Sequence, residues 1–366
     1  MVAGRELSVC AGQVLVAGFG GVEAPSELLG ACARGELGGI ILFKRNLSDV
    51  HDIPRLISKF VEATPPSLPL LVAVDQEGGR VARLGPPVLQ LPPMRRLAAL
   101  DDPELTEACG RVLGRQLRAL GFTMDLAPVL DVDTNPHNPV IGDRSFGSTP
   151  EAVVRHALAF ARGLGSPGGV LSCGKHYPGH GDTDLDSHLA LPRLAHPRQR
   201  LDAVELPPFL AARGVLPALM TAHVVFDSVE AGVPATLSSA AVTGLLRGEL
   251  GFDGVVISDD LEMKAISAHF GVPQAAVSAV AAGVDSVLIC SDTAAVFAAQ
   301  AALVARAEAD PSFRARLEDA AERSVRMRAN CVSTPLCDAR ALDAVMASAE
   351  AAALATTLRE RLMDEL

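Results

Sequence analysis

The chain has 366 residues, of which 49% are hydrophobic, with 43 acidic against 32 basic side chains and a net charge of −11. This apolar content supports a large core and argues against a disordered chain. The acidic balance and the lack of a Lys/Arg tract argue against nucleic acid as a partner. No apolar run approaches the ~18 residues of a membrane-spanning helix, and the first twenty residues lack a basic stretch followed by an unbroken apolar one. The expectation is a cytoplasmic chain with no membrane insertion. The seven cysteines are an odd number without a CxxC pair and sit among apolar neighbours, so they read as reduced, buried thiols.

Short apolar, β-rich runs recur along the chain. They are Val14 to Phe19, Gly39 to Phe43, Leu70 to Val74, Thr123 to Leu126, Val170 to Gly174, Ala218 to Ala222, Val255 to Ile257 and Ser286 to Ile289. Helix-compatible stretches separate them, among them Val50 to Glu62, Pro103 to Leu120, Glu151 to Gly163, Ala240 to Leu250 and Gln274 to Ala282. Continuous rather than alternating apolar strands suit a parallel sheet buried on both faces, and eight of them suggest closure. The fold class is therefore α/β, a single (β/α)8 TIM barrel, with a doubly wound open sheet as the structural alternative. Ala294 to Ala309, Ser312 to Asn330 and Asp338 to Leu366 read as further Ala-rich helices. No linker divides the chain, so one domain is expected over 1–366, with the barrel at about 10–309 and extra C-terminal helices at about 310–366.

The polar residues gather where these strands end. Asp75-Gln76-Glu77-Gly78-Gly79-Arg80 and Arg83 follow the third strand, and a loop containing Gly142-Asp143-Arg144 follows the fourth. Lys175-His176-Tyr177-Pro178-Gly179-His180-Gly181-Asp182 and then Asp186-Ser187-His188 follow the fifth. His223 ends the sixth, and Ser258-Asp259-Asp260 ends the seventh. Helix surfaces are the ordinary home of charged side chains, and barrel chemistry sits at the C-terminal ends of strands, so the clustering points to a site. The bland readings are that Asp260 caps the following helix and that His180 sits in a surface Gly-turn.

Three other chemistries compete at this point. His176, His180, Asp182, His188 and His223 could ligate a metal, but no His-x-His pair ends the first strand, where the sequence reads Gly18-Phe19-Gly20-Gly21. Lys175 could form a Schiff base. A sugar-binding barrel without catalysis is a third reading, although the strand-end cluster keeps reactive side chains such as Asp259 and His188.

Five segments together resemble glycoside hydrolase family 3 in its β-N-acetylglucosaminidase branch: Gly39-Ile40-Ile41-Leu42-Phe43, Val74 through Val81, Asn138 through Gly147, the Lys175 to His188 loop, and Ile257 through Met263. The resemblance covers almost the whole barrel. It implies a double displacement with Asp259 as nucleophile and His188, steadied by Asp186, as acid/base. It also implies that Asp75, Arg83, Arg144, Lys175 and His176 hold the sugar's hydroxyl and acetamido groups, with no metal or organic cofactor. One departure is Tyr177, where relatives commonly have Phe. The implied enzyme is a single-domain β-N-acetylhexosaminidase. It would be a monomer acting on N-acetylglucosaminides, with 1,6-anhydro-muropeptides of cell-wall recycling as the expected substrate. Phosphorolysis in place of hydrolysis and β-glucosidase specificity are the alternatives within the enzyme class.

Overall fold

Side chains that alternate inward and outward along eight short strands explain why the sequence shows unbroken apolar runs. Val16, Ile41, Ala73, Met220 and Ile257 point into one cluster inside the sheet, while Leu15, Ile40, Val72, Leu219 and Val256 belong to a larger cluster outside it. Both faces are buried, so neither needs polar residues. The computed structural model describes residues 6–187, 190–331 and 338–363. The strands are β1 (Leu15–Ala17), β2 (Gly39–Leu42), β3 (Leu71–Val74), β4 (Met124–Asp125), β5 (Leu171–Tyr177), β6 (Ala218–Thr221), β7 (Val255–Asp260) and β8 (Ser286–Ile289). All are parallel to their neighbours, and β1 pairs with β8 to close the barrel. The doubly wound open sheet is thereby excluded.

The helices follow local signals. Pro103–Ala119 starts with Pro after Asp102, whose carboxylate accepts Leu105 N at 2.9 Å, and Pro150–Leu164 starts in the same way after Thr149. The stretch from Ala240 to Glu249 is wound more widely, with π-type bonds such as Leu250 N to Leu245 O, where an ordinary helix was expected.

Past the barrel, Asp338 to Leu366 was expected as one helix. Its described part is two, Ala339–Met346 and Ala349–Met363, because the Ser348 hydroxyl accepts Ala351 N and starts a second helix. Taken end to end, 339–363 is long and apolar enough to cross a bilayer, and it alone among the described residues has both properties. To that extent the reading that no such run exists is revised. The two helices lie along Pro103–Ala119, held by Arg111 and Arg115 to Glu350 and by Arg361 to Asp102. The six described cysteines are buried thiols outside any disulfide among the described residues, as expected.

Candidate active site

The polar loop after β3 is a tight hairpin. Gly78 and Gly79 take φ of 112° and 53°, left-handed values open to glycine, and turn the chain so that Gln76–Gly78 pairs with Val81–Ala82. This return brings Arg83 beside Asp75, with Arg83 Nη2 3.1 Å from Asp75 Oδ2. Lys175, from β5, donates to Asp75 Oδ1 at 2.8 Å and lies 2.6 Å from Glu77 Oε1. Arg144 grips Glu77 with two bonds of 2.8 Å. Arg83, Asp75, Lys175, Glu77 and Arg144 thus form one chain of alternating charge.

Glu77 and Lys175 are each 2% exposed, so burial acts strongly on both. Burial alone would raise the carboxyls of Asp75 and Glu77, but the adjacent cations, Lys175 and Arg83 for Asp75 and Arg144 and Lys175 for Glu77, hold both below their ordinary values. Burial would likewise lower Lys175, yet Asp75 and Glu77 raise it above the usual lysine value. An amine held between two carboxylates in this way is a poor nucleophile, which argues against the Schiff-base reading.

Asp125 lies beneath this chain at the end of β4. Its Oδ1 accepts Gln76 N at 2.9 Å, whereas Oδ2 is buried with no hydrogen-bond partner among the described residues. Burial pushes this carboxyl up to about 7 from its ordinary 3.8. A raised carboxyl pKa means that the folded state keeps the proton longer, so ionisation costs stability progressively between those two values. Asp125→Asn removes that cost. The stability of the variant relative to wild type, measured by urea unfolding, is expected to grow from pH 5 to pH 8, and a difference independent of pH would contradict the assignment.

The fourth and fifth loops are tied together by Asp131, which is fully buried. Its Oδ2 lies 2.7 Å from His176 Nδ1, and its Oδ1 accepts His180 N at 2.7 Å. Burial would raise this carboxyl, but His176 and then His180 hold it below its ordinary value. His180, for which a surface Gly-turn was one of the open readings, is 2% exposed and lines the cleft. Gly181 is required beside it, because a Cβ there would stand 1.9 Å from Val132 O. Tyr177 is buried, and its hydroxyl donates to Ala241 O at 2.9 Å, so the departure from Phe adds one hydrogen bond.

At the end of β7 the register against β8 shifts between Ile257 and Asp260, and that of β5 against β6 shifts between Gly174 and Tyr177. Both irregularities fall where side chains must turn toward the cleft, at Asp259 and at Lys175-His176. Asp259 lines the cleft, and its Oδ1 accepts Asp260 N at 2.8 Å. Burial would raise its carboxyl, but His223 and His176 hold it below the ordinary value, which favours the carboxylate. Asp260 does not cap the next helix, which begins at Lys264. It accepts Glu262 N and Cys290 N at 3.0 and 3.2 Å, tying β7 to β8, and burial pushes its carboxyl up to about 6.

The cleft has a volume of about 170 Å³. Asp75, Arg83, Arg144, Lys175, His176 and Asp259 all line it, together with Ser187. Asp186 is near in sequence but is not a lining residue, and His188 lies outside the described residues. Among the described residues no three metal-ligating side chains converge. Sequence reasoning missed Glu77 and Asp131 as organising groups. Glu77 was legible in principle, since it is two residues from Asp75 in an extended segment and so shares its face. Asp131 gave no such signal.

Comparison with known proteins follows the same lines. The description "Glycosyl hydrolase family 3 N terminal domain" matches residues 13–327. The β-hexosaminidase of Pseudomonas aeruginosa is 39% identical over 292 residues, spanning 79% of this chain and 86% of its own. That of Neisseria meningitidis is 40% identical over 263 residues, spanning 70% and 72%. Among solved structures, a family 3 β-N-acetylglucosaminidase from a Paenibacillus species superposes with a TM-score of 0.89 at 40% identity, covering 97% of this chain and 68% of that one. NagZ from Neisseria gonorrhoeae in complex with N-trifluoroacetyl-D-glucosamine gives 0.76 at 32%, covering 95% and 98%.

Proposed function

Because the chain belongs to glycoside hydrolase family 3 and is a β-N-acetylhexosaminidase, we propose that it is a retaining exo-β-N-acetylglucosaminidase with Asp259 as nucleophile and His188, steadied by Asp186, as acid/base. The observation that carries this reading is the Asp259 carboxylate at the end of β7, kept ionised by His223 and His176 and facing the same cleft as the five-membered ion chain.

In the first step the Asp259 carboxylate attacks the anomeric carbon. The bond to the aglycone oxygen breaks, and His188 as imidazolium gives that oxygen its proton. In the second step neutral His188 takes a proton from water, the water oxygen attacks the same carbon, and the ester bond to Asp259 breaks. Two inversions release N-acetylglucosamine with its original configuration. Asp75, Arg83, Arg144, Lys175 and His176 hold the ring, since carboxylates and cations make strong, directional bonds to hydroxyl and amide groups. The N-trifluoroacetyl-D-glucosamine bound by the gonococcal relative supports an acetamido sugar here. We further infer that barrel and C-terminal helices act as one catalytic unit, a cytoplasmic monomer that takes 1,6-anhydro-muropeptides in peptidoglycan recycling.

The test is turnover of the 4-nitrophenyl β-N-acetylglucosaminide and β-glucoside, followed by NMR and repeated in phosphate. The expected result is β-N-acetylglucosamine as the first product from the acetamido substrate, with the glucoside poorly used. The α-anomer as first product would rule out retention, and a glycosyl 1-phosphate would replace hydrolysis by phosphorolysis.

A further inference from the structure

Ser187 is held from two sides. Its hydroxyl lies 2.9 Å from His180 Nε2, and its carbonyl oxygen accepts Ala265 N at 3.2 Å, in the segment that follows β7. It is 2% exposed and lines the cleft. His180 is in turn fixed at every polar atom. Its N–H donates to Asp131 Oδ1 at 2.7 Å, its carbonyl accepts Asn138 Nδ2 at 2.8 Å, and its Nδ1 lies 2.7 Å from the Thr183 hydroxyl. The ring therefore connects the rigid end of β5 to a residue seven positions along the loop, and that residue is the neighbour of His188 in the chain.

The proposed chemistry leaves His180 without a task of its own. Burial, then the nearby His176, pushes its pKa down to about 4, so at neutral pH the imidazole is uncharged. Both ring nitrogens are taken by hydroxyl groups of the protein. Such a ring is built as a strut, neither a proton donor to substrate nor a charge.

We propose that His180 is a positioning residue that clasps the Ser187 hydroxyl and so fixes the chain entering the acid/base His188. This rests on the reading of His188 given above. One hydrogen bond is a small part of the fold's stability, but a misplacement of about 1 Å at a catalytic group can cost about 100-fold in rate. The cost should appear only where the acid is needed.

The experiment measures kcat/KM for aryl β-N-acetylglucosaminides whose leaving groups run from 2,4-dinitrophenol, which departs without a proton, to phenol, which needs one. Ser187→Ala and His180→Asn, with unfolding midpoints matched to wild type, are expected to lose about 10- to 100-fold on the phenyl substrate and less than about 3-fold on the dinitrophenyl one. His180→Gln places an amide atom near the position of Nε2 and is expected to recover activity on the phenyl substrate to within about 3-fold of wild type. Equal losses on both aglycones, or no recovery in His180→Gln, would overturn the clasp. His188→Ala runs in parallel. If it shows the leaving-group dependence and the clasp variants do not, the clasp alone is wrong; if it shows none, the acid/base reading falls and takes the clasp with it.

Discussion

Asp259→Ala is expected to lower kcat on the 4-nitrophenyl β-N-acetylglucosaminide by on the order of 10⁴-fold or more, because it deletes the atom that forms the covalent intermediate. The loss should not come from unfolding. Among the described residues the carboxylate makes one hydrogen bond, from Asp260 N within its own strand end, and β7 is held by its ladders to β6 and β8. The chemistry offers a sharper readout than the rate. With the carboxylate gone, added azide can enter the vacated space and displace an activated aglycone in one step, forming the α-glycosyl azide. That product marks Asp259 as the group on the α face of the sugar. Recovery of the β-azide, or activity within about tenfold of wild type, would place the nucleophile elsewhere.

Glu77→Gln should produce the second large effect, in both stability and catalysis. The substitution keeps the shape and removes the charge that serves Arg144 and Lys175 together. Two buried cations would then share Asp75 with Arg83. Removing one partner of a buried ion pair costs on the order of 3–5 kcal/mol, and kcat/KM should fall by about 100-fold as Arg144 and Lys175 lose their fixed positions. The pH dependence separates charge from packing. The folded pKa of Glu77 is held below its ordinary 4.5, so its stabilisation is complete above that value and is lost as pH falls beneath it. The gap between wild type and Glu77→Gln, from urea unfolding, should be widest at neutral pH and narrow toward pH 3. A gap of constant size would mean that the loss is one of packing, and the ion chain would not be the reason Glu77 is there.

The fold and part of the site are legible in the amino-acid sequence. Ser286 to Ile289 matched its strand to the residue and Val255 to Ile257 lay within its strand, because a parallel strand covered on both faces leaves an unbroken apolar run that little else in a soluble chain produces. The cleft residues Asp75, Arg144, Lys175 and Asp259 were legible because charged groups at strand ends stand out against that apolar background. The burial of His180 stayed open, since a lone histidine in a Gly-rich loop carries no mark of it. The break at Ser348 was missed because Ala-rich periodicity runs through it and only a weak cap interrupts it.

The sequence by itself determined the eight strands, their order and the end of the barrel at which polar groups collect, since periodicity and local composition are properties of neighbours along the chain. Tertiary structure alone decided how those groups are paired. Glu77 meets Lys175 across 98 positions and Arg144 across 67, and Asp131 reaches His176 across 45. The register shifts that turn Lys175-His176 and Asp259 toward the cleft exist only once strands lie side by side. The protonation state of each group follows from those meetings, because burial and opposite charge act through space and leave no trace in spacing along the chain.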